Sequence, residues 1–298
     1  MPVIPLSAHY AVVGNPVAHS LSPEIHAAFA KQAGQAIAFT RILAPLDGFV
    51  ATSERFFEEG GMGLSVTVPF KLEAFAFCRE RLSERARRAG AVNVLARNRD
   101  ESGSSIGGID GDNTDGVGLV ADLQRILGAN GCALTDARVL LVGAGGAARG
   151  VIGPLLATHP TMLTIVNRDL AKAETLVDAF GVANQHGARF QAQAFDALDA
   201  TAYDVIVNAT SASLANASLP LPATVFTGAA LAYDMMYGAA PTAFMEFAAH
   251  SGAGAVADGL GMLVEQAAEA FAIWRGMRPD VEPVLAALRA SLASSRPA

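Results

Sequence analysis

Lys71 is the side chain whose neighbours best suit it to moving a proton. It closes the run Ser65-Val66-Thr67-Val68-Pro69-Phe70-Lys71. Period-2 alternation puts Leu64, Val66 and Val68 on one strand face and Ser65 and Thr67 on the other. Pro69 ends the strand, so Lys71 falls in a first helical turn, where a cation opposes the helix dipole at a cost of about 0.3–1 kcal/mol. Two readings stay open here: a solvated surface lysine, or an ammonium that trades a proton with an oxygen undergoing hydride chemistry. The loop Asp110-Gly111-Asp112-Asn113-Thr114-Asp115-Gly116 gathers three acids. Calcium is one reading, but the twelfth loop position is Ala121 rather than the glutamate an EF-hand needs. A polar interdomain loop is another, and an acid paired with Lys71 a third. In His19-Ser20-Leu21-Ser22-Pro23, Ser22 reads as an N-cap before Pro23 at the first helical position. Ser20 precedes that cap and has no capping role, so two hydroxyls beside a helix N-terminus make a candidate carboxylate site.

A second chemistry lies mid-chain. In Arg138-Val139-Leu140-Leu141-Val142-Gly143-Ala144-Gly145-Gly146-Ala147-Ala148 an apolar run breaks into glycines and opens into a helix. Gly143 suits a tight turn, Gly145 a close approach of backbone to pyrophosphate, and small Ala148 close helix–strand packing. About 25 residues on, a second strand ends in Asn167-Arg168, where an arginine suits a ribose 2′-phosphate better than a 2′-hydroxyl. A Rossmann-type site for NADP is the reading, against a glycine-rich packing turn that binds nothing.

These residues need an α/β scaffold. Strands are expected at Ala11–Val13, Phe39–Leu43, Gly63–Val68, Ala91–Ala96 and Gly107–Ile109, and helices from Pro23 to Gly34 and after Pro69. A second block has a helix over Gly116–Leu127 and strands at Val139–Val142, Leu163–Val166, Asp204–Asn208 and Leu231–Asp234. A long amphipathic helix follows Asp258-Gly259-Leu260-Gly261 through Trp274. Over a hundred residues precede the glycine turn, so the front is a separate domain. The division is 1–114, completed by C-terminal helices 260–298, and 115–259, with a cleft between the two.

The chain has 298 residues, 52% hydrophobic and 16% charged, with a formal net charge of −7. No apolar run reaches the ~20 residues of a membrane span, and no basic cluster marks a nucleic-acid partner. Cys78 and Cys132 lack metal-ligand spacing and read as packing residues in a reduced cytoplasm. His19 and His26 are not spaced as a pair on one face. Asn93, an amide inside an apolar run, reads equally as a satisfier of backbone groups or a site residue; Gln266 alone carries no signal.

In combination these segments resemble the shikimate dehydrogenase family. The matching motifs are Gly14–Pro23, Val66–Lys71, Gly90–Asn93, Gly111–Gly116, the glycine turn, Asn167-Arg168, Asn208-Ala209-Thr210-Ser211, Tyr233–Tyr237 and Asp258–Gln266, in order over nearly the whole chain. The resemblance implies an N-terminal α/β substrate domain, a Rossmann-like NADP domain, and reversible NADPH-linked reduction of 3-dehydroshikimate to shikimate, the chemistry of chorismate and aromatic amino acid biosynthesis. It implies that Ser20 and Ser22 bind the carboxylate, that Thr67, Asn93, Asp115, Tyr237 and Gln266 hold the ring hydroxyls, and that Lys71, paired with Asp115, is the acid/base. Gly143, Ala144, Gly145, Gly146, Ala147, Asn167, Arg168, Lys172, Met235 and Gly259 would line the NADP site, with Glu84 as a further candidate. No metal is implied, and a homodimer is left open. Two departures bear on specificity: Ser65 stands where members commonly carry Asn, and Asp169 where many NADP users carry Thr. A quinate/shikimate dehydrogenase using NAD is the alternative. A silent dinucleotide-binding regulator is a third reading, against which the Lys71 and Asp115 pair argues.

Overall fold

A computed structural model describes residues 8–99, 105–181, 184, 187–198, 202–212 and 218–294. The ends of the expected divisions, residues 1–7 and 295–298, lie outside the described residues. The chain falls into two compact units: Met1–Asp115 with Gln266–Val284, and Gly116–Glu265 with Leu285–Ala298.

The first unit is built on a five-stranded sheet of order β2-β1-β3-β4-β5. Its strands are β1 (Ala8–Gly14), β2 (Ile37–Leu43), β3 (Gly63–Val66), β4 (Val94–Arg99) and β5 (Ser105–Asp112). β1 runs parallel to β2 and β3, while β4 is antiparallel to β3 and β5. Helices α1 (Ser22–Ala33), α2 (Phe49–Glu58), α3 (Lys71–Phe77) and α4 (Glu84–Ala89) connect them. Leu64, Val66, Phe49, Phe70 and Leu95 share one core with Ala11 and Val13. α1 stops where the sequence says, at Gly34 with φ 62°.

The carboxyl ends of the parallel strands are tied together. The Asn15 amide N–H donates to the Val68 carbonyl at 3.1 Å, and Asn15 Nδ2 donates to the Ala44 carbonyl at 2.9 Å. A Cβ on Gly14 would stand 2.4 Å from Thr67 Cγ2, so glycine lets these two loops meet. β3 ends at Val66, earlier than expected, and Val68 is 61% exposed instead of lying on the apolar face. The reason is local: Thr67 N–H still bonds Val13, but the Val68 carbonyl turns to Asn15 and the Phe70 N–H to Thr67, a turn that breaks the alternation.

The second unit carries six strands, all parallel, in the order β11-β10-β9-β6-β7-β8. They are β6 (Arg138–Val142), β7 (Met162–Val166), β8 (Arg189–Gln193), β9 (Val205–Asn208), β10 (Leu231–Asp234) and β11 (Val256–Asp258). In order of appearance within the unit this is 3-2-1-4-5-6, the doubly wound dinucleotide order, with its switch point between β6 and β9. Val139, Leu140, Leu141 and Val142 are fully buried, as a sheet covered on both faces requires. The remaining α-helices of the chain are α5 (Asp115–Ala129), α6 (Gly146–Leu156), α7 (Leu170–Phe180), α8 (Ala243–His250), α9 (Leu260–Arg275) and α10 (Glu282–Ser294). Cys78 is buried as expected, whereas Cys132 is exposed. No helix among the described residues is long and apolar enough to cross a membrane.

The C-terminal segment is shared rather than joined wholly to the first unit. Gln266–Val284 groups with the first unit and Leu285 onward with the second. Within the latter segment, Arg289 forks to the buried Asp258, at 2.7 and 2.6 Å.

Candidate active site

In the first unit, Lys71 is the opening residue of α3 and its carbonyl accepts the Val92 N–H at 2.9 Å. Its Nζ donates to Asp115 Oδ2 at 2.5 Å, with side chains 31% and 20% exposed. Asp115 is the first residue of α5, a position where the helix dipole favours a carboxylate. Its other oxygen, Oδ1, accepts from Asn93 Nδ2 at 2.8 Å. Asn93 cannot flip: its Oδ1 accepts the Thr114 N–H at 2.8 Å, so Nδ2 must face the carboxylate. Asn93 thus satisfies a backbone donor and presents its amide to the Asp115 carboxylate. Gln266 Oε1 accepts from Asn93 Nδ2 and from Thr114 Oγ1, each at 3.3 Å.

Two frame residues went unassigned in the sequence. Thr114 is fully buried between Asn93 and Gln266. Asn113 accepts the Asp115 N–H at 3.1 Å and donates to Ala91 at 3.0 Å. The signal was the unbroken polar run Asn113-Thr114-Asp115 behind a strand. The three acids of the loop have separate partners: Asp110 takes Arg81 and Asn98, Asp112 takes Arg85 and Ser83, and Asp115 takes Lys71. Among the described residues no group of three His, Cys, Asp or Glu is arranged to hold a metal.

The serine pair corrects an expectation. α1 begins at Ser22 itself, with Leu21 at the N-cap and no side-chain cap bond. Ser20 does the work assigned to Ser22: its Oγ accepts the Ser22 N–H at 3.3 Å and donates to Ser22 Oγ at 3.2 Å. The two hydroxyls therefore sit side by side at the helix start. Arg41 is anchored next to them, donating to the Ser20 carbonyl at 2.9 and 2.6 Å and pairing with Glu24 at 2.6 Å. Glu84 lies on α4 in this same unit, its side chain 73% exposed and paired with Arg88 one turn on, whereas the other cofactor candidates belong to the second unit.

There, Gly143 leaves β6 with φ 109°, a conformation L side chains rarely adopt. Its N–H donates to Val166 at 2.8 Å, fixing the turn against β7. Gly145 is the N-cap of α6, and Gly145, Gly146 and Ala147 are exposed. A Cβ on Gly145 or Gly146 would meet no protein atom within 4 Å. An open helix N-terminus of this kind, with unpaired N–H groups at the switch point of the sheet, fits a pyrophosphate. Past β7, Asn167 Nδ2 donates to the Asp169 carbonyl at 2.9 Å, and Arg168 is exposed. Lys172 Nζ stands 3.7 Å from Asp169 Oδ2, with both side chains more than half exposed. On the far side of the switch point, the Met235 N–H donates to Asn208 and the Gly259 N–H to Met236 at 3.0 Å. A Cβ on Gly259 would fall 2.2 Å from the Met235 carbonyl oxygen, so only glycine fits. Tyr237 is half-buried; burial, and then the negative charge of Asp258, push its phenol above the ordinary value.

A dinucleotide turn on a doubly wound sheet, with an ammonium–carboxylate pair in the companion unit, defines the class of nicotinamide-dependent dehydrogenases. Family profiles place the chain within that class. The shikimate dehydrogenase substrate binding domain matches residues 12–95, the shikimate/quinate 5-dehydrogenase family residues 124–217, and the shikimate 5′-dehydrogenase C-terminal domain residues 259–289. The NADP(+) shikimate dehydrogenase of Nitrosospira multiformis is 53% identical, covering 97% of this chain and all of that protein. Among solved structures, an Ael1 enzyme from Pseudomonas putida is 44% identical with a TM-score of 0.86, covering 95% of this chain and 98% of that one. Shikimate 5-dehydrogenase from Thermus thermophilus in complex with NADP(H) and shikimate is 30% identical, with a TM-score of 0.79, and covers 96% of this chain and 100% of that one. The chain belongs to the shikimate dehydrogenase family.

Proposed function

We propose that this chain is an NADP-dependent shikimate dehydrogenase, reducing 3-dehydroshikimate reversibly to shikimate. The observation that carries the reading is the 2.5 Å pair of Lys71 and Asp115, held by Asn93. The bound nicotinamide supplies or accepts the hydride. As hydride reaches the carbonyl carbon, charge builds on the oxygen; the Lys71 ammonium stabilises that charge and gives up a proton, and takes it back in the oxidation direction. Asp115 holds the Lys71 ammonium in place through the 2.5 Å contact. Ser20 and Ser22 bind the substrate carboxylate, while Thr67, Asn93, Asp115, Tyr237 and Gln266 select the ring hydroxyls. Gly143–Ala147 hold the pyrophosphate, Asn167, Arg168 and Lys172 the 2′-phosphate end, and Met235 and Gly259 the remainder of the cofactor, with Glu84 as a further contact.

Domain roles follow the expected division in the main: residues 1–114, completed by the C-terminal helices 260–298, take substrate together with Asp115 and Tyr237, and 115–259 supply most of the cofactor contacts. A homodimer in the cytoplasm, with no nucleic-acid or membrane partner, completes the proposal. The net charge of −7 supports the absence of nucleic acid, and exposed Leu43 and Leu46, where edge strand β2 ends, support an assembly of two copies, which sedimentation velocity reads.

The deciding assay measures kcat/KM at the nicotinamide absorbance band for shikimate and quinate, each with NADP⁺ and NAD⁺. The shikimate–NADP⁺ pair is expected to be fastest. A quinate–NAD⁺ maximum would replace the reading with the broader dehydrogenase. For cofactor choice, Arg168→Ala is expected to raise KM for NADP⁺ by about tenfold, the loss of a charge-assisted phosphate bond, and to leave KM for NAD⁺ nearly unchanged. Because Asp169 faces Lys172, Asp169→Thr frees that ammonium and widens the NADP preference; equal cofactor ratios before and after would remove Asp169 from the phosphate pocket.

Ser20→Ala is expected to weaken shikimate binding by about 0.5–1.5 kcal/mol and also to lower Tm, since its hydroxyl accepts the Ser22 N–H. An unchanged KM would take Ser20 out of the site.

A further inference from the structure

We propose that Arg289, on the last helix of the chain, is a positioning residue for the cofactor corner and acts through Asp258. The proposal rests on the reading above that Met235 and Gly259 border the dinucleotide.

Asp258 closes β11 opposite Asp234 of β10. It is only 5% exposed. Its Oδ1 accepts the Leu260 N–H at 3.2 Å, one of the donors that the first turn of α9 leaves open. The next residue, Gly259, packs directly on the Met235 carbonyl and donates to Met236. The direction of the Asp258 carboxylate therefore sets where α9 starts, where Gly259 sits and how Met235-Met236-Tyr237 leaves β10. A buried carboxylate holds such a position only while its charge is compensated.

Arg289 supplies that compensation. Its two terminal nitrogens meet the two carboxylate oxygens at 2.7 and 2.6 Å, a parallel fork. Asp258 in turn holds the guanidinium above its ordinary pKa. Without the fork, the buried Asp258 carboxylate has no countercharge and swings toward water. A swing gives up the Leu260 N–H, and the corner that carries Gly259 moves with it. A lysine at 289 keeps the charge but offers no planar fork.

The test uses the full-length enzyme and Arg289→Gln, Arg289→Lys and the double variant Asp258→Asn/Arg289→Gln. For each, KM for NADP⁺, kcat, Kd for NADPH by fluorescence titration, and Tm are measured. Arg289→Gln is expected to raise KM and Kd for the cofactor by about tenfold, while kcat at saturation stays within about threefold. Arg289→Lys falls between it and the wild type. The double variant recovers much of the loss, because the orphaned charge leaves while the amide oxygen that replaces the carboxylate can still accept the Leu260 N–H. A lower Tm with unchanged KM and Kd in Arg289→Gln overturns the proposal, leaving the pair as stability alone. If Arg289→Gln does not fold, Arg289→Lys decides: a raised Kd supports the proposal and an unchanged one overturns it. A wild-type enzyme that binds no NADPH overturns the functional reading together with this one, whereas an active wild type with unaltered variants overturns this one only.

Discussion

Replacing Lys71 by alanine is expected to lower kcat by about 10²–10⁴-fold, the contribution of a positioned proton donor. Nothing in the fold opposes the change. The side chain leaves the first turn of α3 and its contact is the Asp115 carboxylate, while the structural role of the residue is carried by its backbone, which accepts the Val92 N–H. Tm should therefore barely move. Asp115→Asn keeps the shape and can keep the contact with Asn93, but removes the charge that holds the ammonium, so it too should depress kcat. The two groups act on one proton, so the double variant should lose far less than the product of the single losses. Full activity in Lys71→Ala would end the assignment. Multiplicative losses would mean that Asp115 serves the substrate independently of Lys71.

How far the sequence could be read depends on how local each feature is. The Gly143 turn and the Rossmann strand order were visible because strand, turn, helix and second strand follow one another within a few tens of residues. Lys71 and Asp115 lie further apart, but each sits in a motif whose composition is unusual for its element: a lysine at a helix start and an acid closing a polar run. Ser22 is not the cap its spacing predicts, because a cap is a matter of φ and ψ: with Leu21 at the N-cap, the Ser22 N–H finds the Ser20 hydroxyl instead. Val68 leaves the apolar face that alternation predicts, because alternation says nothing about where the Val68 carbonyl finds its partner. Strands β8 and β11 went unseen: one is an edge strand with polar residues on both sides, Arg189-Phe190-Gln191-Ala192-Gln193, and the other is three residues long. The Arg289–Asp258 fork and the surroundings of His26 join distant segments, and no spacing rule reports them.

His26 carries the other large expected effect, on stability rather than activity. It lies on α1, fully buried. Its ring stacks on Phe39 at 4.3 Å with an interplanar angle of 5°, and Trp274 tilts over it at 5.2 Å. Phe29 and Phe271 close the surround at 6.0 and 6.2 Å. Neither ring nitrogen has a hydrogen-bond partner among the described residues. Burial lowers its pKa from 6.5 to about 3. The folded imidazole thus stays neutral where the unfolded one takes a proton. The stability tied to His26 is present above pH 6.5 and is lost as pH falls from there toward 3. At about 1.4 kcal/mol per pH unit, roughly 2–3 kcal/mol is gone by about pH 4.5. His26→Phe keeps an aromatic ring in the cluster and removes both nitrogens. At neutral pH the variant should equal or exceed the wild type, since a buried unpaired N–H costs about 1–3 kcal/mol. Near pH 4.5 its margin over the wild type should grow by that further 2–3 kcal/mol, roughly the same linkage difference. Carboxylates elsewhere titrate alike in both proteins and cancel in the difference. Trp274 is the sole tryptophan of the chain and touches the ring in question, so its fluorescence in urea titrations follows the unit that matters. Parallel loss of stability with pH in wild type and variant would show that the imidazole is protonated in the folded state, and that burial does not hold it neutral.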